Sequence, residues 1–213
     1  MKYHQSKVFI GYIFLILIFI LKDYNLVMIL LIGASACGKT EVALTLANKY
    51  GIKKAITHTS RPMRKGEIDG IDYYFVSDNE FINLMRQSIF VETTSYNGHY
   101  YGCSKNEIAD DKCVVIDPNG LRSFNSLNDS RIVSFYLEAS EEVRKERMLE
   151  RGDPAPLIED RLRNDRLTFA KENIDKVNFK ICTNTHTVDQ IAFVIYSLYK
   201  KTLEDNTKEL FSI

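Results

Sequence analysis

Gly33-Ala34-Ser35-Ala36-Cys37-Gly38-Lys39-Thr40 fits the spacing G-x-x-x-x-G-K-[ST], and its surroundings decide the fold. The apolar run at residues 26–32 reads as a buried strand. Residues 41–50 carry Val42, Ala43, Leu46 and Ala47 at helical spacing. Strand, glycine-containing loop and helix in this order wrap backbone N–H groups around an anion at a helix N-terminus. Gly33, Ala34, Ser35, Ala36, Cys37, Gly38, Lys39 and Thr40 are therefore the candidate cradle for a nucleoside triphosphate. Lys39 brings a point charge to the outer phosphates, and the Thr40 hydroxyl suits Mg²⁺.

Working outward, strands and helices alternate from residue 26, which argues for an α/β fold with a parallel sheet. Strand-like runs cover 26–32, 55–58, 113–117, 132–137 and 179–182; helix-like runs cover 39–50, 119–127, 140–151, 157–173 and 188–201. Ser140 ahead of Glu141 and Glu142 is an N-cap with acid in the first turn. Residues 60–104 break this rhythm. They hold β-prone pieces at 72–76, 90–96 and 99–103 around one helix near 78–85, with turn signals at Lys65-Gly66, Asp69-Gly70 and Asn97-Gly98. This reads as a β-rich insert over the carboxyl ends of the parallel strands, where such sheets bind ligands. Arg151-Gly152-Asp153-Pro154-Ala155-Pro156 is charged, holds two prolines and lies between helices, as a lid does. The expected organisation is a core of 28–59 and 105–205, an insert of 60–104 and a lid of about 151–160, within a domain spanning 28–213.

Composition narrows the classes. Among 213 residues, 45% are hydrophobic and 26% charged, and Lys+Arg and Asp+Glu both number 28. No bulk charge advertises nucleic acid. The four cysteines, at 37, 103, 113 and 182, show no C-x-x-C pair and no cluster with histidine, so they read as free thiols of a reducing compartment, Cys103, Cys113 and Cys182 as small core residues. Residues 8–21 form 14 consecutive apolar or aromatic positions (counting Gly11), fewer than the roughly 20 of a membrane-spanning helix. Residues 1–27 are expected to stand outside the core, as an upstream extension; the alternative is a hydrophobic anchor with a cytoplasmic domain.

The insert suggests what receives the phosphate. Arg61-Pro62-Met63-Arg64 sets two guanidinium groups three residues apart, a spacing suited to clamping phosphate oxygens. Tyr73 and Tyr101 add phenolic donors. Glu92 and Asp117 are acids in β-rich surroundings, able to accept from the N1–H and exocyclic amine of guanine, a donor set that adenine lacks. Asp117 before Pro118 reads equally well as a helix cap. Arg144 and Arg147 share a helix face with Arg151 and read as solvated charges. His58 and His99 read as structural.

The run Ser60-Arg61-Pro62-x-Arg64-x-Gly66-Glu67-x-x-Gly70-x-Asp72-Tyr73-x-Phe75, followed by Glu92 and Gly98-His99-Tyr100-Tyr101-Gly102, resembles the guanylate kinase family. The resemblance covers residues 28 to about 199. It implies a P-loop three-layer α/β/α fold with a small nucleoside-monophosphate-binding insert and a short lid. It implies ATP-dependent conversion of GMP to GDP in the cytoplasm, with ATP and Mg²⁺ bound. By resemblance Arg61, Arg64, Tyr73 and Tyr101 hold the GMP phosphate. Thr57, Glu92 and Asp117 face the guanine, with Asp117 also near the metal at Thr40. Arg151 and Arg161 fall where lid arginines approach the transferring phosphoryl group, so Lys39, Arg61, Arg151 and Arg161 are the expected catalytic cations. The chain departs from the family pattern at Ala36, where a third glycine is common. It departs again at Val115, where the first acid of Asp-x-Asp stands, at Cys103, where a hydroxyl residue is usual, and in a lid one residue shorter. Two alternatives follow: a kinase of this fold acting on another nucleotide or a phosphorylated sugar, and a non-catalytic binding module.

Overall fold

The computed structural model describes residues 28–211 apart from 65, 97, 110 and 131; the expectations for residues 1–27, including the run at 8–21, lie outside the described residues. A parallel sheet carries the molecule. β1 (Met28–Ile32) is buried along its whole length and sits at the centre of the order β2-β7-β1-β8-β9. Its neighbours are β7 (Lys112–Ile116) and β8 (Ile132–Glu138), with β2 (Lys53–Lys54) and β9 (Phe179–Cys182) outside them. Successive side chains of β1 point to opposite faces, and each face has its own helices. Ile29 and Leu31 join Val42 and Leu46 of α1 (Lys39–Tyr50) and Ile191, Ile195 and Tyr199 of α6 (Val188–Phe211). Met28, Leu30 and Ile32 join Leu121 and Phe124 of α3 (Pro118–Ser126). The result is the expected three-layer arrangement.

A second sheet, order β4-β3-β6-β5, is built from β3 (His58–Thr59), β4 (Tyr74–Phe75), β5 (Phe90–Tyr96) and β6 (His99–Ser104). β5 and β6 form an antiparallel hairpin in which Tyr96 pairs with His99. α2 (Asp78–Arg86) lies against it, opened by a capping box between Ser77 and Glu80. The strand expected at 55–58 is in fact two, because the chain leaves one sheet after Lys54 and joins the other at His58. Glu107 ties that crossing: its buried carboxylate accepts from Ile56 N (2.9 Å) and pairs with Lys112 (2.6 Å).

α4 (Glu141–Glu150) and α5 (Ala155–Thr168) are joined by a four-residue turn, so most of the stretch expected as a lid is already helix. α5 stops at Thr168, short of the expected 173, where Asn173 of a following 3₁₀ turn donates to the Leu167 carbonyl (2.7 Å). Cys37, Cys103 and Cys113 are buried free thiols, but Cys182, expected in the core, is exposed at the end of β9.

Candidate active site

The loop after β1 closes over its own backbone. A Cβ on Gly33 would lie 2.4 Å from the Leu137 carbonyl oxygen and 2.7 Å from Cys37 Sγ, so only glycine fits. Gly38, at φ 98°, turns the chain into α1, and no side chain among the described residues caps the helix. Its first-turn amides are thereby left for an anion. Lys39 Nζ folds back onto the carbonyls of Gly33 (2.6 Å) and Ala34 (2.8 Å), partners that it can exchange for phosphate oxygens. Thr40 is exposed and its hydroxyl has no partner among the described residues.

This loop is held from outside by residues that sequence reasoning missed. Arg144 and Arg147 are not solvated. Arg144 is buried and donates to Asp165 (2.6 Å) and to the Ser35 carbonyl (3.4 Å). Asp165 also accepts from Ser35 N (3.0 Å) and Ser35 Oγ (3.1 Å). Arg147 donates to the Ala36 carbonyl (3.2 Å) and to the Thr183 carbonyl (2.6 Å), while Thr183 Oγ1 donates to the Cys37 carbonyl (3.1 Å). One signal was available: Asp165 stands on the apolar stripe of Ile158 and Leu162, where an unpartnered acid is not tolerated.

Beyond α4 the two expected lid arginines meet on one acid. Arg151 pairs with Asp153 through two hydrogen bonds, and Arg161 Nη1 donates to Asp153 Oδ2 (2.6 Å). Arg151 foremost holds the Asp153 carboxyl below the usual carboxylate range.

On the second sheet Arg61 is buried and its guanidinium forks onto Glu67, with Nη1–Oε2 at 3.0 Å and Nη2–Oε1 at 2.7 Å. Glu67 Oε2 also accepts from Arg64 N (2.7 Å), so one carboxylate organises the whole Arg-Pro-x-Arg turn. Glu67 stood in the motif without a role. The Arg61 guanidinium lies over Tyr73 (5.5 Å) and Phe75 (5.7 Å), and Tyr73 meets Tyr101 edge-on at 6.2 Å. Glu67 first, and Tyr101 after it, raise the Arg61 pKa. Arg64 is exposed, and its guanidinium has no hydrogen-bond partner among the described residues. The structure thus brings Arg61, Arg64, Tyr73 and Tyr101 together. It adds Lys54, whose ammonium lies 5.1 Å over the Tyr73 ring.

Glu92 and Asp117 face each other where the two sheets meet. Glu92 accepts from Cys103 N (3.0 Å), and burial, reinforced by the Asp117 charge, pushes its carboxyl up to about 7. Asp117 is a cap and more: Oδ1 accepts from Gly120 N (2.8 Å) and Oδ2 from Thr94 Oγ1 (3.3 Å). The Cys103 thiol, raised to about 12 mainly by burial, stays neutral beside Glu92. Thr57 is half-buried at the crossing between the sheets, its carbonyl accepting from Tyr74 N (3.0 Å). Parallel register joins this pocket to the donor loop. Ile116 pairs with Ile32, so Asp117 and Gly33 step off the carboxyl ends of adjacent strands, about 5 Å apart.

These features define a P-loop α/β protein whose phosphate-binding loop leaves the parallel sheet and whose Arg61–Glu67 fork lies on the second. The family model described as guanylate kinase matches residues 26–201. A guanylate kinase of Anaplasma phagocytophilum is 31% identical over 188 residues, covering 83% of this chain and 89% of that one. A guanylate kinase of Neisseria gonorrhoeae is 36% identical over 142 residues, covering 63% and 69%. The crystal structure of guanylate kinase from Anaplasma phagocytophilum superposes with a TM-score of 0.62 over 83% of this chain and 86% of that chain, at 23% identity, a likeness of fold. The chain belongs to the guanylate kinase family.

Proposed function

We infer that this protein transfers a phosphoryl group from ATP to GMP, giving ADP and GDP. The observation that carries the reading is the juxtaposition just described: the donor loop and the Glu92–Asp117 pocket leave adjacent strands, with the Arg61 fork on the sheet that supplies Glu92. An acceptor phosphate is already anionic, so the protein supplies position and charge rather than a general base. The loop amides and Lys39 take the donor phosphates. Arg61, Arg64, Tyr73 and Tyr101 take the acceptor phosphate. Arg151 and Arg161 leave Asp153 for the transferring group and neutralise charge that grows in the transition state. Glu92 and Asp117, with Thr57 beside them, read the donors on the guanine edge. Residues 60–104 act as the acceptor-binding insert, and the turn at 151–154 with the start of α5 acts as the lid.

Mg²⁺ fits beside Thr40, whose hydroxyl at the head of α1 has no partner among the described residues. Asp117 is the poorer candidate, since both its oxygens are engaged by Gly120 and Thr94. When bound, the ion screens the donor phosphates. Among the described residues no helix is long and apolar enough to cross a membrane. We assign the reaction to the cytoplasm, where ATP and GMP occur. The test is ADP release from ATP by the purified full chain, with GMP, dGMP, AMP, CMP and UMP offered in turn. Turnover of GMP well above AMP, CMP and UMP is expected; equal turnover would overturn the base assignment.

A further inference from the structure

The contacts between Ser35, Arg144 and Asp165 do not behave as a stability device. Replacing a buried ion pair by apolar residues is often neutral or stabilising. Here the Arg144 and Asp165 side chains are only 7% and 10% exposed, and Arg144 Nε is buried with no hydrogen-bond partner among the described residues. The arrangement is costly, yet Asp165 spends its hydrogen-bonding capacity on the loop: Ser35 N and Ser35 Oγ as well as Arg144. The next residue shows what is gained. Ala36 has φ 59°, a left-handed conformation disfavoured for any residue with a Cβ. It is fastened on both sides, by the Ser35 contacts before it and by Arg147 on its own carbonyl. Its methyl packs on Met148, Ile158 and Leu162, between α4 and α5.

We propose that Arg144 and Asp165 are positioning residues for the donor site, holding Ala36 left-handed so that the amides after it are preset for phosphate. The same contacts fix the loop to the helix pair that carries Arg151 and Arg161. The proposal rests on the reading that ATP occupies this loop. It assigns the two residues no contact with ATP and no part in binding GMP.

The test is calorimetric titration of the full chain with ATP, beside thermal melting and steady-state KM for GMP. Arg144→Met/Asp165→Leu is expected to melt close to the parent while ATP affinity falls about tenfold and KM for GMP is unchanged. Asp165→Asn, which keeps the shape and loses the charge, is expected to fall in the same direction and covers the case in which the double variant does not fold. Adding Ala36→Gly, which removes the strain that the pair restrains, is expected to recover most of the lost affinity. Unchanged ATP affinity in Asp165→Asn overturns the proposal, as does a loss that Ala36→Gly leaves intact, or equal losses for ATP and GMP. A parent chain that binds no ATP overturns the donor-site reading itself, and this proposal with it.

Discussion

The proposed donor loop and the proposed acceptor clamp hold their cations by opposite means. The clamp is local: Arg61 is oriented by Glu67, six residues on, within one turn. The loop is held from afar, by Asp165, Arg144, Arg147 and Thr183, more than 100 residues away in sequence. The Arg61–Glu67 fork is complete within one turn and takes nothing from the parallel sheet. A loop braced by three other elements shares the rigidity of the sheet on which it sits. The difference also governs what a substitution does, since removing a local partner disturbs one group and removing a brace disturbs several amides together.

The sharpest break in the comparison is Lys39→Met. Among the described residues Lys39 Nζ bonds only to its own loop, to the carbonyls of Gly33 and Ala34 and to Cys37 Sγ (3.6 Å), so melting should be little changed. Its charge is needed where negative charge accumulates, and kcat should fall by on the order of 10³-fold. GMP-dependent ADP release measures this, and a loss under tenfold would show that the loop amides alone hold the donor.

The clamp gives the next largest effect. Arg61→Ala should lower kcat/KM for GMP by about ten- to a hundredfold, the range for a charge-assisted hydrogen bond, with KM for ATP unchanged. Glu67→Gln should do the same more weakly, about tenfold, because the guanidinium remains but its fork is lost. If Glu67→Gln also raised KM for ATP, the clamp would not be the self-contained unit that its hydrogen bonds describe.

The same contrast explains what could be read from sequence. The donor motif, the Arg-Pro-x-Arg turn and the β5–β6 hairpin are local patterns, with partners a few residues apart. Glu67 was legible as a motif member but not as the fork that holds Arg61, because a carboxylate near two arginines competes on paper with the phosphate they are meant to bind. Arg144 was not legible, and Asp165 left only an indirect signal. Three arginines on one helix face look solvated until α5 is laid against it, and only the acid in the apolar stripe of α5 hints at a buried cation opposite. Thr94, which fixes Asp117, shares a face of β5 with Glu92, and nothing in local spacing says that this face meets the end of β7.

A pH experiment sharpens the comparison where the two halves meet. Burial, with the Asp117 charge, raises the Glu92 carboxyl from the ordinary 4.5 to about 7. In that window the unfolded chain gives up the proton first. Glu92 therefore lowers stability as pH rises from about 4.5 to about 7, and Glu92→Gln should flatten that decline in melting temperature. Guanine offers donors, so binding favours the carboxylate and should release part of this proton near pH 7. Titrating GMP in buffers of different ionisation enthalpy should show a proton release that shrinks in Glu92→Gln, where the phosphate of GMP alone still titrates. The same release in both would mean that Glu92 does not read the base.

The smallest expected effect concerns Asp153, which holds both lid arginines. These contacts are partly exposed, with Arg151 and Arg161 side chains 52% and 41% accessible, so they contribute little to stability. Their consequence is competition: while Asp153 holds the two guanidinium groups, a donor phosphate must displace it. Asp153→Asn should therefore leave melting nearly unchanged and lower KM for ATP by a few-fold, an effect of the size that such exposed pairs allow. Added salt should erase the difference between the two proteins, because it screens the ion pair that the substitution removes. A rise in KM for ATP would give Asp153 the opposite part, that of aiming Arg151 and Arg161 toward the loop as Glu67 aims Arg61. The lid would then join the acceptor clamp as a locally organised unit, leaving the donor loop alone in its dependence on distant braces.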